Sequence, residues 1–101
     1  MTAAHPLTYE DLLVVAGHFA DEPIETVSGR LFTVRVDRDE LAFTPVSSGY
    51  GQTDGRTAHR RFIARYNETR SVRPTDYGDV SRNASYLIGL IIAARASGLL
   101  R

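Results

Sequence analysis

The side chains best suited to chemistry in this chain gather between Ser47 and Arg73, where six arginines follow a loop of small and hydroxylated residues. Arg56 and Arg60 are four apart, as are Arg61 and Arg65, so on a helix each pair shares a ridge. Like charges at that spacing destabilise a helix by ~0.2–0.5 kcal/mol per pair, and those in the first turn also oppose the helix dipole. Glu68 answers Arg61 or Arg65, while Arg56 and Arg60 have no obvious local acid. An external anion relieves such an arrangement. Guanidinium groups offer planar donors suited to phosphate, and Ser47, Ser48, Thr53, Thr57 and the loop amides add neutral ones. Tyr50, His59, Tyr66 and Tyr77 lie in or near the same segment, and aromatics among arginines are common on nucleic-acid surfaces. The pattern marks Ser47, Ser48, Arg56, His59, Arg60, Arg61, Arg65, Arg70 and Arg73 as a set for binding nucleic acid or another polyanion, an acidic protein included. The competing expectation is that these arginines pair with Asp21, Glu22, Glu25, Asp37, Asp39 and Glu40 of their own chain or of a second subunit.

Other chemistries fail on spacing. Gly49, Gly51 and Gly55 have one residue too many for the dinucleotide fingerprint, and no βαβ unit follows them. Gly55-Arg56-Thr57 imitates the end of a P-loop, but arginine replaces the lysine and the upstream glycine is missing. His5, His18 and His59 have no metal-ligand spacing, and Ser47-Ser48-Gly49 lacks the leading glycine of a nucleophile elbow. Asp76 and Asp79 suit capping of their own loop as well as acid–base work. Asp37 to Glu40 is a fragment of a calcium loop without its glycine, most simply a hairpin turn. No catalytic residue, metal site or cofactor is expected, and the chain leans away from enzymes. A small-ligand cleft near Ser48, Tyr50, His59 and Tyr77 is the remaining enzymatic or ligand-binding alternative.

Zero net charge conceals a strong asymmetry. All twelve basic residues are arginine. Residues 1–50 hold three arginines against eight acids, a net of −5; residues 51–101 hold nine against four, a net of +5. At 101 residues with 43% apolar content the chain has the size and composition of one globular domain, spanning 1–101 with 1–6 as a mobile tail. It has no cysteine, and Met1 to Pro6 show no basic region followed by an apolar run, so a cytoplasmic protein is expected. The apolar stretch Ala84 to Ala96 is short of the ~20 residues that cross a bilayer.

The elements that must hold these residues follow from periodicity. Thr8 and Asp11 form a near capping box, Leu7 and Leu12 a hydrophobic staple, and Leu12, Val15, Ala16 and Phe19 the buried stripe of a helix from Tyr9 to Ala20. Phe32, Val34 and Val36, then Leu41, Phe43 and Pro45, alternate with polar or small residues as two strands joined by Asp37 to Glu40. Ile24 to Gly29 adds a short strand or a bent lead-in, and Pro45 places its strand at a sheet edge or ends it there. Asp54 or Thr57 caps a second helix that buries Ala58, Phe62, Ile63 and Tyr66. Ser81 or Asn83 caps a third, closed by Gly98 with Leu99 making the hydrophobic contact. The expected fold is α+β: a small single-layer antiparallel sheet of two or three strands against about three helices, in the order α-β-β-α-α.

Leu87, Ile88, Leu90, Ile91 and Ile92 make the third helix apolar nearly all round. Such a helix is either the centre of the core or, with Gly89 permitting close approach, half of a homodimer interface formed by Leu87, Ile88, Leu90 and Ile91. An assembly protein using its acidic and basic halves, with this helix as glue, is accordingly the second functional expectation. The run Leu41 to Gly49, the arginine-rich helix, Asp76-Tyr77 and Asn83 to Tyr86 together resemble small uncharacterised bacterial proteins carried on mobile integron gene cassettes. The resemblance covers about half the chain; it implies a bacterial origin and no established activity.

Overall fold

The computed structural model describes residues 6–53 and 55–100. Residues 1–5 of the expected tail, His5 included, and Asp54, one of the two expected caps, lie outside them. The architecture is α+β in the order α-β-β-β-α-α, with α1 Tyr9–His18, β1 Ile24–Glu25, β2 Leu31–Asp37, β3 Glu40–Pro45, α2 Gly55–Thr69 and α3 Ala84–Ala96. A single 3-10 turn, Pro74–Tyr77, lies between the last two helices.

Helix α1 begins as its capping residues dictate. The Thr8 hydroxyl accepts from the Asp11 amide and the Asp11 carboxylate accepts from the Thr8 amide, a complete capping box. Its end comes two residues before the expected Ala20. Phe19 caps it, and the chain turns away through Asp21 at φ 63°. Ile24–Glu25 does form a strand, so the sheet has three, all antiparallel, ordered β1-β2-β3. Asp37 pairs with Glu40, and Arg38 and Asp39 between them both take positive φ, 52° and 62°. That is the two-residue turn whose twist matches the strands, here made without glycine. Pro45 is the last residue of edge strand β3, where its missing donor costs no ladder bond.

Alternation decides which sheet face is covered. Phe32 and Val34 of β2 and Leu41 and Phe43 of β3 are buried under the helices, while Leu31 and Arg35 point outward. Helix α3 lies at the centre of this core. Leu87, Ile88 and Leu90 are 0% exposed and Ile91 1%, so these four are interior residues of the single chain and offer no surface to a second copy. The expectation of a dimer interface through them is corrected. Gly89 supplies the reason: a Cβ there would stand 2.9 Å from the Glu25 carbonyl oxygen and 3.0 Å from Phe32 Cε1. The close approach that glycine permits is used by the protein's own β1 and β2. Ile92 alone of the apolar run is exposed. The helix closes as expected, with Gly98 at φ 78°, its amide on the Arg95 carbonyl and the Leu99 amide on that of Ala94. Among the described residues no helix is long and apolar enough to cross a membrane.

Candidate functional site: a groove beside a glycine-flanked tyrosine

Helix α2 buries His59, Phe62, Ile63 and Tyr66, one stripe at helical spacing. At ~100° per residue that stripe divides the arginines between its flanks. Arg56 and Arg60 fall on the flank facing α1 and the β2–β3 turn. There Arg60 reaches Glu10 at 3.2 Å and lies 5.5 Å from the Tyr9 ring centre, and Arg56 stands 3.7 Å from Glu40. Both pairs are solvent-exposed, so each contributes ~0–1 kcal/mol. On the same flank Asn67 accepts from the Leu7 amide and donates to its carbonyl, both at 2.8 Å, fixing the lead-in to α1. Arg65, on the other flank, forks onto both Asp79 oxygens, one at 2.9 Å, and donates to the Asp76 carbonyl at 3.0 Å. Its guanidinium holds the Asp79 carboxyl below the usual carboxylate range, and that bond in turn raises the pKa of Arg65. Arg61, Arg70 and Arg73 are exposed and form no ion pair among the described residues.

His59 stands apart from this surface. It is 0% exposed, and its Nδ1 lies 3.2 Å from the Tyr9 hydroxyl. Tyr9 also accepts from the Leu41 amide at 2.9 Å, so its hydroxyl ties the buried histidine to the sheet. Burial raises the Tyr9 pKa. Tyr77 is also 0% exposed, packed on Phe62 with ring centres 4.3 Å apart and donating to the Ser71 carbonyl at 2.6 Å. His59 and Tyr77 therefore do not line a cleft with Ser48 and Tyr50. Ser47 and Ser48 line a different feature, an open hollow of about 790 Å³ bordered by Arg30, Leu31 and Val46 and backed by Tyr86. A second hollow of about 530 Å³, bordered by Thr53, Arg82 and Asn83, adjoins it through Gln52, which lines both.

The loop that walls this groove is fixed at both ends. The Val46 amide donates to the Leu31 carbonyl at 3.0 Å, and Gln52 returns to exchange two backbone bonds with Phe43, at 2.8 and 2.6 Å. Between them the Gly49 amide closes a turn on the Pro45 carbonyl at 2.9 Å, with Gly49 at φ 72°, a conformation open to glycine. Tyr50 stands between Gly49 and Gly51 and is 78% exposed. Tyr86, by contrast, is held by its ring contacts with Phe32 and Phe43, at 5.0 and 5.6 Å. No family model, curated protein or solved structure matches this chain. The site thus rests on its own geometry. Arg30, Gln52 and Tyr86 were not among the expected site residues. A signal for Arg30 existed, since it is an arginine beside Gly29 at the mouth of a strand with no acid following it for several residues.

Proposed function

We propose that the protein binds single-stranded nucleic acid in the groove lined by Val46, Ser47, Ser48 and Gln52, with Tyr50, on the same loop outside that lining, as the stacking residue. The observation that carries this is Tyr50 itself, a large aromatic ring held in water on a loop whose ends are bonded to the sheet, with no ring contact among the described residues. Stacking of one base on such a ring contributes ~1–3 kcal/mol and tolerates any sequence. Arg30 borders one hollow and Arg82 the other, with Gln52 lining both. Ser47, Ser48 and Gln52 supply neutral hydrogen-bonding groups between them. Arg61, Arg70 and Arg73 raise the local phosphate concentration through their field without contacting the bases.

Fluorescence anisotropy of a labelled single strand, as DNA and as RNA, against a duplex of the same length tests the proposal. The single strand binds at low salt and more tightly than the duplex, with log affinity falling against log salt by about 0.7 per phosphate neutralised. Absence of single-strand binding at low salt, or tighter binding of the duplex, would sink it.

A further inference from the structure

At the opposite end of α2 two cations share one aromatic ring, with no ion pair to either among the described residues. Tyr66 is 1% exposed, and its hydroxyl, shut off from solvent, has no hydrogen-bond partner among the described residues. Two guanidinium groups stand at its ring: Arg70 at 5.3 Å and Arg95 at 5.7 Å from the centre. They come from different elements. Arg70 follows α2 directly, in the left-handed conformation at φ 56° with its amide on the Tyr66 carbonyl at 2.7 Å, and Arg95 belongs to the last turn of α3. Neither forms an ion pair among the described residues. The ring's quadrupole and the two helix C-termini favour each cation singly. A non-glycine residue at positive φ, as Arg70 is, is strained.

We infer that Arg70, Arg95 and the Tyr66 hydroxyl form a binding site for a phosphate group, either free or on a phosphomonoester. A phosphate has enough acceptor oxygens to take a charge-assisted bond from each guanidinium and to accept the buried O–H at the same time. Both arginines are exposed, so their guanidinium groups can turn from the ring onto an anion, and binding in this site requires the Tyr66 hydroxyl to become accessible to it. This site is separate from the groove and does not depend on it.

The test is a titration of the whole chain with inorganic phosphate and with adenosine monophosphate, followed by the NMR signals of the arginine side chains and by thermal unfolding. Saturable binding should shift Arg70 and Arg95 and raise the Tm. Arg95→Gln should weaken it about tenfold or more, as expected for loss of one charge-assisted bond. Tyr66→Phe keeps the ring and both cation contacts; it should weaken phosphate binding severalfold while leaving the ligand-free Tm unchanged or higher, because a buried unsatisfied hydroxyl is removed. Equal affinity for the two ligands, or preference for the nucleotide with Tyr50→Ala without effect, supports the site. Phosphate binding that is absent, or unchanged in both Arg95→Gln and Tyr66→Phe, overturns it, as does nucleotide binding abolished by Tyr50→Ala.

Discussion

Arg56, Arg60 and Arg65 on α2 each meet a carboxylate of their own chain, whereas Arg30 beside the groove meets none among the described residues. The first group is the denser in sequence, yet it is Arg30 that borders the open hollow lined by Ser47, Ser48 and Tyr86. Density of charge along a sequence and availability of charge on a surface are different quantities. Folding decides the second by bringing Glu10 and Glu40, fifty and sixteen residues upstream, against Arg60 and Arg56. The acidic half of the chain thus answers part of the basic half within one molecule. Arg61, Arg70, Arg73 and Arg95 of the basic half are left without an ion pair among the described residues.

The same contrast separates the two long helices, and it can be broken by mutation. Helix α3 is interior on all but one side, so Leu87→Ala should cost about 2–5 kcal/mol of unfolding free energy, measured by urea denaturation. Its Tm should not vary with protein concentration; a variant whose loss appears mainly as concentration-dependent dissociation would return α3 to an intermolecular role. A smaller loss, about 1–3 kcal/mol, is expected for Gly89→Ala, since the added methyl forces β1 and the Phe32 ring away from the helix. An unchanged urea midpoint would mean that the sheet does not press on α3 there.

The weakest effect belongs to the paired flank of α2 and is read by pH. Arg65 lowers the pKa of Asp79 in the folded state, so the native chain binds fewer protons than the unfolded one as pH falls toward 3.8. The stabilisation is therefore full above the ordinary aspartate range and is lost as pH falls through the lowered folded value. Asp79→Asn should reduce stability at pH 6 and converge with the parent in strong acid. A constant gap between the two down to low pH would contradict the ion pair as its cause.

Much of this arrangement was legible beforehand. Local rules sufficed for the Thr8–Asp11 capping box, for the alternation of Phe32, Val34, Leu41 and Phe43, and for Gly98 at the end of α3, because each depends on neighbours within a few residues. The arginine helix itself was also evident. What was not legible depends on long-range contact. His59 has a helical position next to Arg60, and only its packing against Tyr9 and Phe43 makes it interior. Leu87 to Ile91 gave no indication whether their cover would be the chain's own sheet or another copy, since either buries the same apolar surface. Arg30 and Tyr86 lie 56 positions apart and border one hollow only after β2 and α3 have packed.

The contrast between paired and available charge is tested most directly by measuring single-strand affinity at low salt in two variants side by side, Tyr50→Ala and the double variant Arg56→Gln with Arg60→Gln. Loss of one stacked base should weaken binding about tenfold or more in Tyr50→Ala. The double variant should lose less than that, through the weakened field alone. If the arginine variant lost most of the affinity and Tyr50→Ala kept it, the binding surface would be the α2 flank and the assignment of the groove would be contradicted.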